Sequence, residues 1–595
     1  MRTGLFSVRS ASAKRISADP DFQIDWRATV AAAFVALVLA ACGGSTEETE
    51  TSQEENEGPF VALTTEAEAA RFLAQAGFGA DDSSIRDVQR YDYEGWLQRQ
   101  FAMTPRNAHR AYIERVSASG ADPNQSHVMH TFWKQAATGP DQLRQKVAFA
   151  LSQICVISQR DSEVGGYERG VASYLDMLGR EAFGNYRNIL EQVALHPMMG
   201  IYLSHLRNQK ASGNRVPDQN FAREVMQLFS IGLYELNQNG TPILVGGQPV
   251  ETYTNEDIIG LSHVFTGFSW AGPDKQNGRF YGYSNPPRDP NRDVLPMQSY
   301  PQFHSTEEKR FLGTVIPAQG TPDPDESLRV ALDTIFNHQN VAPFIGRQLI
   351  QRLVTSNPSP GYVGRVAQAF NAGTYDTGDW RTGSGQRGDM RATIAAVLLD
   401  TEARDLSMVA QPGFGKVREP VLRLAAWMRA FKVRSTSGNY LLGNTDSSTS
   451  SLGQSALRSP SVFNFYRPGY VPPNTSIAAA NLVAPEFQIL HETSVVGYSN
   501  FMRSIVRSGV GSNSPRDIQP DYSKELALAE DPDALIDRVD LMLTYETMSD
   551  ETRNLIRDAV ESISVNPIMP TSGRENRVYL AVFFALSSPD FIVQK

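Results

Sequence analysis

Cysteine is almost missing from this sequence: 595 residues contain two, Cys42 and Cys155. Two thiols exclude a disulfide framework and any zinc cluster built on cysteine alone. The chain also lacks a Gly-x-Ser-x-Gly elbow, a phosphate-binding loop, a His-Glu-x-x-His helix and a Rossmann glycine fingerprint. None of the reactions those motifs support is therefore signalled, and neither a metal nor another cofactor is expected. Basic charge is in deficit, with 55 Lys and Arg against 65 Asp and Glu. That balance argues against nucleic acid as a partner. No internal repeat and no clean linker occurs inside 59–595. The apolar fraction of 41% and the charged fraction of 20% are those of a globular chain long enough for a sizeable core.

The N-terminal region carries the clearest local signal. After Arg27, residues 28–41 are apolar and lead into Cys42-Gly43-Gly44. The run is short for a membrane span and suited to a signal-peptide core. Leu39-Ala40-Ala41-Cys42 resembles the lipobox of bacterial lipoproteins. The resemblance implies that residues 1–41 are a signal peptide and that Cys42 is lipidated as the mature N-terminus. Its departure from the pattern is a long n-region containing acids. Gly43, where an aspartate would favour inner-membrane retention, implies an outer-membrane or cell-surface location. Several acyl chains would make that anchoring stable. Loss of residues 1–41 removes five basic and three acidic residues and moves the net charge from −10 to near −12. Residues 42–58 are acidic and polar without a basic residue, which reads as a flexible, self-repelling tether.

Helix signals dominate from there to the C-terminus. Thr65-Glu66-Ala67-Glu68 is a capping box, with Gly77 as the stop. Apolar stripes at helical spacing recur over 142–157, 171–178, 189–195, 341–353, 362–370, 390–399, 416–431 and 577–586. Asp531 before Pro532 and Ser549 before Asp550 are further starts. Residues 272–301 and 435–451 read as loops, and 457–473 as an aromatic, proline-rich segment. The expectation is a mainly α protein: one large multi-helix domain over 59–595, with at most a small β-hairpin.

The segment 217–270 offers the candidate site. A helix is expected from Gln219, capped by Asp218, with Phe221, Val225, Leu228 and Gly232 on the buried face. Asn220 and Glu224 lie one turn apart at its border. Thr254-Asn255-Glu256-Asp257 opens a second capped helix that stops at Gly267. His304 follows the long loop, which would fold over a cleft containing Glu224. Glu224 and His304 are the acid–base candidates, with Asn220, Arg223 and Asp257 as binding or orienting groups. Each has a structural alternative: an arginine partner for Glu224, a cap for Asp257. His263, His127, His130 and Cys155 read as core or surface residues.

Taken together these segments resemble a large bacterial family catalogued as domain of unknown function 1800. The resemblance runs from Ala67 to the C-terminus and rests on Arg71-Phe72-Leu73, Gly77-Phe78-Gly79 and Leu143-Arg144-Gln145-Lys146. It continues through Ala182-Phe183-Gly184-Asn185-Tyr186, Asn220-Phe221-Ala222-Arg223-Glu224 and Tyr253-Thr254 with Asp257. Phe265-Thr266-Gly267, His304, Phe311-Leu312-Gly313 and Ser588-Pro589-Asp590-Phe591 complete it. Many relatives look like Trp-His-x-His-Phe where this chain has Leu151-Ser152-Gln153-Ile154-Cys155, so a site using those histidines is not expected in this protein. The resemblance implies an envelope protein, often encoded beside a secreted sulfatase-like protein. Two functions follow. One is a non-catalytic surface or assembly protein acting with that partner; the other is a tethered hydrolase or lyase on an extracellular polymer, using Glu224 and His304. The first is preferred because no nucleophile or metal motif stands out. Convergence of Glu224, Asp257 and His304 on one pocket would favour the second.

Overall fold

A computed structural model describes residues 63–595. The expected signal peptide, Cys42 and the acidic tether lie outside the described residues. From Val61 to Lys595 the contacts form one compact unit, and its architecture is mainly α.

The predicted caps form as expected. Thr65 and Glu68 exchange backbone and side-chain hydrogen bonds at the start of the helix Glu66–Ala76, which ends at Gly77. Thr254 and Asp257 do the same for Asn255–Val264. Asp531 and Ser549 cap Pro532–Leu543 and Asp550–Glu561. Val341–Leu353 and Met390–Leu399 have the expected bounds, and Pro360–Ala372 packs against both. Glu492–Ser508, Pro532–Leu543, Asp550–Glu561 and Thr571–Ser587 make a C-terminal bundle. The stripe residues bury their apolar faces in a shared core that includes Phe72, Leu349, Val366, Ile394, Trp427 and Val582. Each such fully buried side chain contributes roughly 1.5–3 kcal/mol.

Three regions differ from expectation. The helix expected over 142–157 ends at Ser152, after which the chain continues irregularly through Cys155. The segment beginning at Lys416 opens as a strand, and its helix starts only at Pro420. The reason is long-range: Lys416–Val417 pairs antiparallel with Val593–Gln594, at the chain's end. Among the described residues strand is also spread more widely than one hairpin, over six two-stranded antiparallel pairs. Third, 272–301 is not an open loop. It holds a short helix, Asn277–Tyr281, and a strand that pairs Gln298–Ser299 with Phe268–Ser269. Arg279 to Asp274 and Arg169 to Asp293 fasten it down.

Candidate functional site

The helix Asn220–Gln227 begins one residue later than expected, and Asp218 accepts from the Asn220 N–H at 2.9 Å. Phe221, Val225 and Met226 are buried, but the helix stops before Leu228, which is half-buried. Asn220 and Arg223 are exposed. Glu224 is buried, and its Oε2 has no hydrogen-bond partner. Burial raises its carboxyl pKa, and the Arg223 charge opposes this only partly. The arginine partner expected for Glu224 is therefore not an ion pair. Tyr253 lies close by; its phenol is pushed up to about 12 by burial first and by the Glu224 charge second.

Asp257 and His304 are fully engaged elsewhere. Asp257 Oδ2 accepts from Thr254 N and Oγ1, and its Oδ1 accepts from Leu312 N at 2.7 Å. His304 has no exposed surface. Its Nδ1 donates to the Thr266 carbonyl at 2.8 Å, and its Nε2 lies 3.1 Å from Ser327 Oγ. Burial drives its pKa down to about 4, outweighing the carbonyl contact, so the ring is neutral near pH 7. The strand Lys309–Phe311 presses close on this region: a Cβ on Gly260 would stand 1.7 Å from the Arg310 carbonyl oxygen. The structure thus packs 220–227 against 255–264, with His304 held just beyond on Thr266.

The deep cavity lies beside them, on the far end of the same segment. It encloses about 450 Å³, within the range of small-molecule sites. One wall is a single face of the helix Val341–Leu353, where Phe344, Arg347, Gln348, Gln351 and Arg352 recur at helical spacing. The second wall is the chain leaving Asn220–Gln227: Gln227, Leu228 and residues 232–242. Gly232 makes this wall possible, because its φ of +74° suits glycine and an added Cβ would stand 2.7 Å from the Phe344 ring. The third wall is the aromatic, proline-rich loop, contributing Val462, Phe463, Tyr466, Arg467 and Pro468. Gln153 and Ile154 close the floor. None of Asn220, Arg223, Glu224, Asp257 and His304 lines this cavity.

Beneath the floor is a buried charged network. Glu419 Oε2 accepts from Gln153 Nε2 at 2.6 Å, from Tyr466 OH at 2.9 Å and from Gln454 Nε2. Lys416 pairs with Glu486 at 3.3 Å and donates to the Arg352 carbonyl at 2.9 Å. Arg352 donates to the Gln348 and Gln153 carbonyls, leaving its Nε without a partner. Gln348 Nε2 and Gln153 Oε1 are also unpartnered. Arg423 Nε donates to the Arg418 carbonyl, and Arg418 stacks over Phe591. Lys146 rests over Phe78, and burial pushes its pKa down to about 7. Buried charge is expensive unless paired, and Lys146, Arg352, Lys416, Arg418 and Arg423 are buried together here. Sequence reasoning missed the cavity because its lining residues come from four distant segments. A signal did exist: Lys146, Arg352 and Arg423 interrupt stripes that otherwise read as core.

Cys155, His130 and His263 have protein surroundings of their own. Cys155 is buried and unpaired, and burial pushes its thiol up to about 12. His130 faces Tyr112 OH at 3.3 Å, and His263 Nδ1 lies 2.9 Å from Ser305 Oγ. Among the described residues, no three His, Cys, Asp or Glu side chains are grouped to hold a metal ion. Nor is any described helix long and apolar enough to cross a membrane.

Fold and cavity together define a large mainly α protein with a polar-floored apolar pocket. The chain matches a family described as "Protein of unknown function (DUF1800)" over residues 71–593, and it belongs to that family. No curated protein and no solved structure matches it.

Proposed function

We propose that this protein is a lipid-anchored envelope component that holds a ligand in the cavity between the 341–353 helix and the 462–469 loop. The observation that carries the reading is the cavity itself, with apolar walls and unpartnered polar atoms at its floor. An apolar pocket of this size with a few convergent polar groups is built to orient a bound molecule. The lipobox-like Leu39-Ala40-Ala41-Cys42 supports anchoring at the outer membrane or cell surface. The family resemblance supports a secreted sulfatase-like protein as partner, to be sought by co-purification from solubilised envelopes.

A hydrolase or lyase using Glu224 and His304 is the second reading, and one observation favours it: Glu224 is buried, incompletely partnered and raised in pKa. Its proposed proton carrier is enclosed, however, and neither group faces the cavity. Binding of the neutral dye Nile red to the full-length protein tests the first reading. Saturable binding that is abolished by Leu228→Trp, which fills the cavity from its wall, is the expected result. Binding unchanged by that substitution would overturn it.

A further inference from the structure

The cavity's charge is at odds with that of the chain. The protein carries a net charge of −10, yet no acidic residue lines the pocket, while three arginines do: Arg347, Arg352 and Arg467. Among the described residues, none of the three has a carboxylate within salt-bridge distance. Arg467 is exposed and lies over the Phe463 ring, 4.8 Å from its centroid. Arg347 is exposed on the helix face. Both therefore stand at the rim. Arg352 and Gln348 are buried, each 6% exposed, and each presents one donor, Nε and Nε2, that nothing in the protein satisfies. They are four residues apart on one helix and so are neighbours on its surface. Below them Arg418 and Arg423 each have a further unsatisfied guanidinium nitrogen. Two acids border the floor: Glu419 already accepts three hydrogen bonds, and Glu486 pairs with Lys416 through Oε1 while its Oε2 has no partner.

Buried donors without acceptors are costly in a folded core. Two such donors side by side, in a region where Lys146, Arg352, Lys416, Arg418 and Arg423 outnumber Glu419 and Glu486, match the two oxygens of a carboxylate. The walls above them, Phe344, Leu228 and Phe463, are apolar. We infer that the cavity takes an amphipathic carboxylate: an alkyl or aromatic body along the walls, its carboxylate on Gln348 Nε2 and Arg352 Nε. Gln153 Oε1, the unpartnered acceptor of the floor, remains for a water or a ligand hydroxyl. The rim arginines attract the anion and screen it from the acidic surface. This inference rests on the binding reading above and adds the ligand's chemical class.

The test is calorimetric titration of the full-length protein with two matched pairs, decanoate against decanol and 2-naphthoate against 2-naphthol. Leu228→Trp serves as the blank for non-specific partition. At least a tenfold preference for the carboxylate is expected in one pair. Gln348→Leu should cut that preference below threefold while binding of the neutral member persists, and Gln348→Glu should reverse it. Circular dichroism and melting of each variant establish that it is folded. Equal affinity for acid and alcohol would overturn the carboxylate assignment and leave the binding reading standing. No binding of any of the four above the blank would overturn both. Tighter binding of decyl sulfate than of decanoate would replace carboxylate by sulfate. A preference untouched by Gln348→Leu but lost in Arg347→Ala with Arg467→Ala would move the head group to the rim and refute its placement on Gln348 and Arg352.

Discussion

Replacing Glu486 by glutamine removes one charge from beneath the cavity and almost no volume. Glu486 is 2% exposed and Lys416, its partner at 3.3 Å, is equally buried. The substitution leaves Lys416 as an uncompensated cation in a region that already holds Lys146, Arg352, Arg418 and Arg423. Breaking a buried pair from one side costs about 3–5 kcal/mol. The unfolding entropy of about 530 described residues, at roughly 2.1 cal/mol/K each, is about 1.1 kcal/mol/K. The loss therefore corresponds to a fall in Tm of about 3–5 °C. Scanning calorimetry measures it directly. Two controls sharpen the result. Glu326→Gln breaks an exposed pair with Arg329 and should leave Tm unchanged. Lys416→Met combined with Glu486→Leu removes both charges and should recover at least half of the loss, since apolar replacements of a buried pair are often neutral. A Glu486→Gln protein that melts within 1 °C of wild type would refute the claim that this pair balances charge in a dry interior.

Three other outcomes are expected. Glu224→Gln should leave Tm unchanged or raise it, because it relieves a buried carboxylate that lacks a partner, and cavity binding should persist; a large fall in Tm would point to a partner for Glu224 that the structure does not contain. Stability should drop as pH falls from about 6.5 towards 4. Buried His130, His205 and His304 are depressed to about 4 and His196 to about 3, so below pH 6.5 the unfolded chain takes up protons that the folded one refuses. The raised carboxyls of Glu224 and Glu486 act in the opposite sense, and His205→Gln should flatten the slope of Tm against pH if the histidines dominate. Finally, Cys42→Ala should release the protein from the membrane fraction or block its processing, read by fractionation and gel mobility; unchanged size and location would remove the case for a lipid anchor.

Where order is local, the sequence was legible. Thr65 with Glu68 and Thr254 with Asp257 satisfy helix-end N–H groups within four residues, so spacing alone identifies them. The stripes of 341–353 and 390–399 locate their helices to the residue. His304 was legible only as a histidine after an irregular stretch. Its enclosure comes from Thr266 and Ser327, which nothing nearby in the chain announces. The cavity was still less accessible, since Gln153, Leu228, Phe344 and Tyr466 meet only once the core has formed. Lys416 reads as the start of a helix because its strand partner is about 180 residues away. Polar residues inside apolar stripes, Arg352 above all, were the available clue to both floor and ligand.

The pairing of Val593–Gln594 with Lys416–Val417 makes the two ends of the described region depend on one another. Gln594 Nε2 donates to the Leu353 carbonyl, Arg418 N to the Ile592 carbonyl, and Arg71 Nε, near the start of the described residues, to the Lys595 carbonyl. Residues 592–595 therefore seal the charges under the cavity and fasten the helix Glu66–Ala76. Removal of residues 592–595 would expose Lys416 and Arg418 to water and leave buried charge beneath the cavity without its cover.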